Sequence, residues 1–181
     1  MSSSFKAKDN NKKIQEVEIK TVIQLHSKAD NLDYASLSKI LSSEPITKEI
    51  AIIVLKKILV NATTLTSEAI KTLQLLISLG ANFDLLEDGD GCTALMNACS
   101  KGSEEIAEFI IQECPEQLNK TSKQQRNCLF YAINSPNAQS NYELIHKLLK
   151  AGVNPNHREN LQGDSSLSLS VKNGYLKITS L

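Results

Sequence analysis

The chain has 181 residues, enough for one domain of ordinary size, and its 20 basic residues against 20 acidic ones give a formal net charge of zero. That balance excludes a dominant nucleic-acid or membrane-surface role, either of which calls for an excess of positive charge. The longest apolar run, Ile50 to Leu55, is too short to span a bilayer, and the opening MSSSFKAKDNNKK lacks the apolar core of a signal peptide.

In chain order, residues 1–12 are polar and rich in Ser and Lys, a composition that buries too little apolar surface to order itself, so this segment reads as a disordered tail. Residues 13–45 read as a helical N-terminal cap. Ile14, Val17, Thr21, Val22 and Leu25 recur at three-and-four spacing, as do Tyr34, Leu37, Ile40 and Leu41, which predicts helices over Lys13 to Lys28 and Leu32 to Leu41. Pro45 is expected just inside the next helix start. Thr47 to Val60 then carries Ile50, Val54 and Ile58 on one face with Lys48, Lys56 and Lys57 outside, and pairs with a helix over Ser67 to Leu79.

From Gly91 onward the sequence repeats. GCTALMNA, followed by CSKGSEEIAEFIIQEC, returns in degraded form at QRNCLFYA (Gln125) and GDSSLSLS (Gly163), 34 and then 38 residues further on. A second landmark, the residue that ends each helical run, falls at Gly80, Cys114 and Gly152 with the same two spacings. The four extra residues of the longer repeat lie between Ala132 and Glu143, where Ser135, Pro136 and Asn137 read as an irregular turn. The array therefore divides into units of about 46–90, 91–124, 125–162 and an incomplete 163–181. Leu181 stands where Phe109 stands in the best copy, so the last second helix has barely begun. A fragment of a longer protein is the expectation, with a frayed terminal cap as the alternative.

Each residue type in the repeat has a physical task. Thr93 and Ser165 can cap the first helix by accepting an unpaired backbone N–H, worth about 1 kcal/mol. Leu95 and Ala98 place a large and a small side chain where the next helix must approach. Gly80 and Gly152 suit a left-handed helix end, whereas Cys114, followed by Pro115, must end its helix differently.

A period near 33 residues, with a turn, a helix opening on T-x-L-x-x-A and a second helix ending in Gly, resembles the ankyrin repeat. The likeness rests on Gly91, Thr93, Ala94, Leu95, Ala98, Gly102, Glu105 and Ile106, with weaker copies at Leu129, Ala132, Leu144, Leu148 and Gly152 and at Gly163, Leu167 and Gly174. It implies an all-α solenoid of stacked helix-turn-helix units joined by β-turn loops. The sequence departs from the family's TPLH start. Its proline is replaced by Ala94, Cys128 and Ser166, and its histidine by Met96, Phe130 and Ser168. Loss of that histidine removes a hydrogen bond tying neighbouring turns, so less rigid repeats are expected.

Chemistry finds little support. Cys92, Cys99, Cys114 and Cys128 form no CxxC pair and read as reduced structural thiols, with Cys99 and Cys128 at small buried positions. His26, His146 and His157 show no ligand spacing; position i+4 from His146 is Lys150, so no zinc site and no cofactor is expected. EDGDG, with Glu87, Asp88 and Asp90, resembles part of a calcium loop, but Thr93, Ala94 and Leu95 fill its later positions and an acidic turn is the reading.

The resemblance implies a partner protein held on the concave side, by turn tips and the exposed face of the first helices. By position, the candidates are Glu87, Asp88 and Asp90 in the first tip, Lys123 in the second, and His157 and Arg158 in the third. On the helices they are Met96, Asn97 and Lys101, then Phe130, Tyr131 and Asn134. Phe130 either reaches a partner or fills the gap left by the histidine. The expected function is a non-catalytic, monomeric, cytoplasmic protein-binding module; the alternative is the target-recruiting region of a larger enzyme or bacterial effector. Departure from the repeat consensus and abundant Asn, Lys and Ile point to an AT-rich genome and a host-directed effector acting in host cytoplasm.

Overall fold

A computed structural model describes residues 20–25, 27–62, 66–83, 86–135, 141–175 and 177. The polar tail, Ile14, Val17, His26, Pro136, Asn137 and Leu181 lie outside them. The described residues fall into two compact units, 20–61 with 66–81, and Ala62 with 82–177.

In the first unit, residues 20–25 and 27–30 are helical and the chain turns before α1 (Tyr34–Ser43). The Asp33 carboxylate accepts the Ser36 N–H at 3.1 Å and pairs with Lys28 at 2.8 Å, which starts the helix at Tyr34, two residues later than the apolar spacing predicts. α2 (Lys48–Asn61) buries Ala51, Val54, Leu55 and Ile58, whereas Ile50 is only half-buried. Pro45 is not inside this helix. It lies in the non-helical stretch before Lys48, and Thr47 takes the capping position, its hydroxyl accepting the Ile50 N–H at 3.5 Å. α3 (Ser67–Ser78), capped by Thr66 through the Ala69 N–H, packs against both α1 and α2, with Ser38 and Thr72 hydroxyls 2.8 Å apart between them.

The second unit repeats one motif: α4 (Ala94–Lys101), α5 (Glu104–Glu113), α6 (Cys128–Ile133), α7 (Tyr142–Lys150) and α8 (Ser166–Lys172). First helices α4, α6 and α8 stack in sequence, and second helices α5 and α7 pack beside them. The caps follow the repeat spacing: Thr93 accepts from Met96 N at 3.3 Å, Asn127 from Phe130 N at 3.0 Å and Ser165 from Ser168 N at 3.1 Å. Cys114 ends α5 with φ −148°, and Pro115 opens a short 3-10 helix, Pro115–Asn119, as the proline demands.

Each first helix has two working faces. The leading face carries small residues, Ala94 and Ala98, Cys128 and Ala132, then Ser166 and Ser170, all buried. Ser166 hydrogen-bonds Asn127 of the preceding unit at 3.3 Å, which fixes the direction of that face. The trailing face carries larger ones, Leu95 and Cys99 on α4, Leu129 and Ile133 on α6. Burial, with Cys128 as its neighbour, pushes the Cys99 thiol well above its ordinary value. Cys99 is therefore an inert packing group, and all four cysteines are buried.

Gln125 breaks the pattern of unit starts. Gly91 and Gly163 open their units at φ +73° and +71°, and Gln125 holds the same left-handed backbone at φ +58°. A side chain there costs about 1–2 kcal/mol, partly offset by the greater unfolded-state freedom of glycine, about 0.5–1 kcal/mol. Gln125→Gly is therefore expected to stabilise the chain by about 1 kcal/mol, read as a higher urea midpoint with unchanged slope.

Candidate partner-binding face

Three tips project from the second unit, and their polar groups are largely engaged with one another. Backbone bonds join successive tips, Lys123 N to Asp90 O and Asn160 N to Gln124 O, each at 3.0 Å. The Lys123 ammonium donates to Gly89 O at 2.7 Å, Lys120 pairs with Glu87 at 3.4 Å, and His157 Nε2 lies 2.9 Å from Gln125 O. The tie that the missing histidine leaves open is thus supplied by other groups.

Glu159 organises the third tip. Its buried carboxylate accepts the Leu161 N–H at 3.1 Å and the Gln162 N–H, and faces Arg126 at 3.4 Å, while its own N–H donates to Asp164 O at 2.9 Å. Backbone donors, Gln162 first, hold its pKa below the ordinary carboxylate range against the opposing effect of burial. The Arg126 guanidinium in turn lies 4.8 Å from the centre of the Phe130 ring.

The candidate residues separate on this geometry. Asp88 is committed to its own turn, its carboxylate accepting the N–H groups of Asp90 and Cys92 at 2.9 and 2.8 Å, so EDGDG is an acidic turn built on aspartate. Glu87, Lys123 and His157 hold neighbouring tips, and Arg158 donates to Gly163 O at 2.7 Å within its own. Met96 is fully buried and is not a contact residue; its sulfur accepts the Thr93 N–H at 3.4 Å, closing the cap from inside. Phe130 is buried as well, filling the space beneath Arg126.

Asp90, Asn97, Lys101 and Asn134 are exposed, and Tyr131 is half-buried. Tyr131 occupies the position in α6 that Asn97 occupies in α4, one repeat earlier. Its hydroxyl lies 3.0 Å from the Cys92 sulfur, which brings this helix row against the base of the first tip. Burial raises the pKa of both groups, so tyrosine and cysteine are neutral there. The row of exposed or half-buried positions thus runs Asn97, Tyr131, Leu169, flanked by Lys101 and Asn134.

Four functional supports escape a reading by residue type. Asn127 stands at the position of Thr93 and Ser165, so the repeat spacing alone identifies it as the middle cap. Glu159 and Arg126 give no such signal, because a buried carboxylate is recognised only by the donors folded around it. Gln117 is likewise buried, its carbonyl accepting Leu95 N at 3.0 Å from a segment 22 residues away.

The family described as ankyrin repeats, in three copies, matches residues 59–159, more than half of the chain.

Two outcomes test the division between supporting and contact residues. Met96→Ala is expected to lower stability by about 2–5 kcal/mol, as core truncation does, measured by denaturant unfolding. Because the Glu159 carboxyl is more acidic folded than unfolded, its contribution is present above the unfolded value and fades as pH falls through the folded one. Glu159→Gln is therefore expected to melt at a lower temperature than the parent at pH 7, with the gap closing as acid protonates the parent's carboxylate.

Proposed function

This chain belongs to the ankyrin-repeat family, and from that premise we propose that it binds a partner protein through the helix row Asn97, Tyr131 and Asn134 and the adjoining first tip at Asp90, with no catalysis of its own. Ankyrin repeats are in general protein–protein interaction modules. The observation that carries the reading is the Tyr131–Cys92 contact, which sets an amphipathic side chain beside exposed amides and an exposed carboxylate.

The physical support is one of availability. A residue whose polar atoms are satisfied inside the chain adds little on binding through them, whereas exposed amides, and the ring of a half-buried tyrosine whose hydroxyl stays on Cys92, can gain contacts without breaking the bonds that hold the tips. The row is polar with a single aromatic, which suits a partner that is itself folded and polar at its rim. The mixed charges of the tips pair across units, so the reading does not depend on long-range attraction.

The test is a chain carrying Asp90→Lys, Asn97→Lys and Asn134→Lys, all at exposed positions, compared with the parent for retention of captured partners. Capture is expected to fall by about tenfold or more, ~1.4 kcal/mol, with an unchanged melting temperature. Equal capture by both chains would remove these positions from the interface.

A further inference from the structure

Between the second helices α5 and α7 runs a groove of about 240 Å³, floored by Ile111 and Leu144. That volume falls below the range of about 300–1,000 Å³ in which whole small-molecule ligands are held, and it suits a single aliphatic side chain. Leu144 is buried and Ile111 half-buried, so an incoming aliphatic group meets a surface already fixed by packing.

The walls are charged, and unevenly. At one end Lys147 bridges Glu104 at 2.8 Å and Glu108 at 2.9 Å. Two carboxylates against one ammonium leave negative charge in excess there. The hydrogen bonds to these carboxylates, Glu104 first, push the Lys147 pKa up, so its charge is committed to them. Toward the other end stands Lys150, exposed, with no carboxylate paired to it among the described residues. Gln112, which also lines the groove, precedes Lys150 by 150 − 112 = 38 residues, one repeat, so the two mark the same end. From Glu104 to Gln112 is 112 − 104 = 8 residues, about 12 Å along the helix axis at roughly 1.5 Å per residue.

We propose that this groove binds an extended segment of a partner protein that sets a basic side chain at Glu104 and Glu108, an aliphatic one on Ile111 and Leu144, and an acidic one at Lys150. The length of the groove selects the form of the segment. Alternate side chains of an extended chain point the same way and four residues of it span about 13 Å, so residues i, i+2 and i+4 reach the acidic end, the floor and the basic end. Charge complementarity selects the composition, because a segment of one sign gains at one end of the groove and loses at the other. The groove lies on the second helices, apart from the first-helix row of Asn97, Tyr131 and Asn134, and does not depend on binding there.

The probe is the peptide acetyl-Gly-Ser-Lys-Ser-Leu-Ser-Glu-Ser-Gly-amide, titrated into the full chain labelled with nitrogen-15 and followed by NMR. Saturable shifts are expected at the amides of Ile111, Leu144 and Lys150, with a Kd of about 1 mM or tighter. Lys150→Glu, at an exposed position, should weaken binding about tenfold while the rest of the spectrum stays unchanged. A peptide with lysine in place of its glutamate should bind this variant better than the parent. Serine in place of the peptide's leucine should abolish the shifts in either chain. Absence of saturable shifts at millimolar peptide would overturn the proposal, as would equal binding by the parent and Lys150→Glu chains. Binding confined to a cross-linked helical peptide, with the same three side chains at four-residue spacing, would also overturn it, in favour of a helix as occupant.

Discussion

Everything in the second unit depends on the contact between successive first helices, in which a large trailing face closes over a small leading one. Leu95 and Cys99 on α4 and Leu129 and Ile133 on α6 are buried, as are Cys128, Ala132, Ser166 and Ser170 on the first helices that follow, and Cys99 neighbours Cys128. The arrangement lets short helices of six to eight residues, too short to persist alone in water, be stable as a stack. It also accounts for the cysteines. Cys99 and Cys128 serve as packing groups of intermediate size, and burial keeps the Cys99 thiol protonated.

The tips depend on the stack in turn. Once the helices fix the distance between units, backbone groups of adjacent tips meet, and the side chains of Lys120, Lys123, Arg126 and His157 reach back to the neighbouring tip or forward to Glu159. Tip polarity is thereby largely internal. This is the reason charge alone is a poor guide to the binding surface here: Glu87 and Lys123 look like contact residues by type, yet each has a neighbour in the adjacent unit. What stays available is the quieter row of Asn97, Tyr131 and Asn134.

Much of the array is legible because its signals are local and recur. The two landmark series, Gly91, Gln125 and Gly163 with Gly80, Cys114 and Gly152, carry unit boundaries, capping positions and helix ends. The structure keeps the capping positions and the helix ends, and Gln125 shares the left-handed backbone of the two glycines it aligns with. In the first unit the helical periodicity is read correctly, but starts shift by a few residues because a capping side chain, Asp33 or Thr47, outweighs hydropathy or a proline in choosing the first turn. Met96 fails as a contact for a related reason. Periodicity alone leaves it beside exposed Asn97, and only the closure of its sulfur onto Thr93 N turns it inward.

The sequence by itself determined the repeat, its spacing, its caps and its all-helical character, since these follow from backbone conformation and from which residues bury at three-and-four intervals. The tertiary structure alone decided which polar residues remain free. Side chains 32 to 39 residues apart, such as His157 with the Gln125 carbonyl or Tyr131 with Cys92, meet only after the units stack. Whether a tip residue holds its neighbour or faces a partner is fixed by distances that no local pattern encodes.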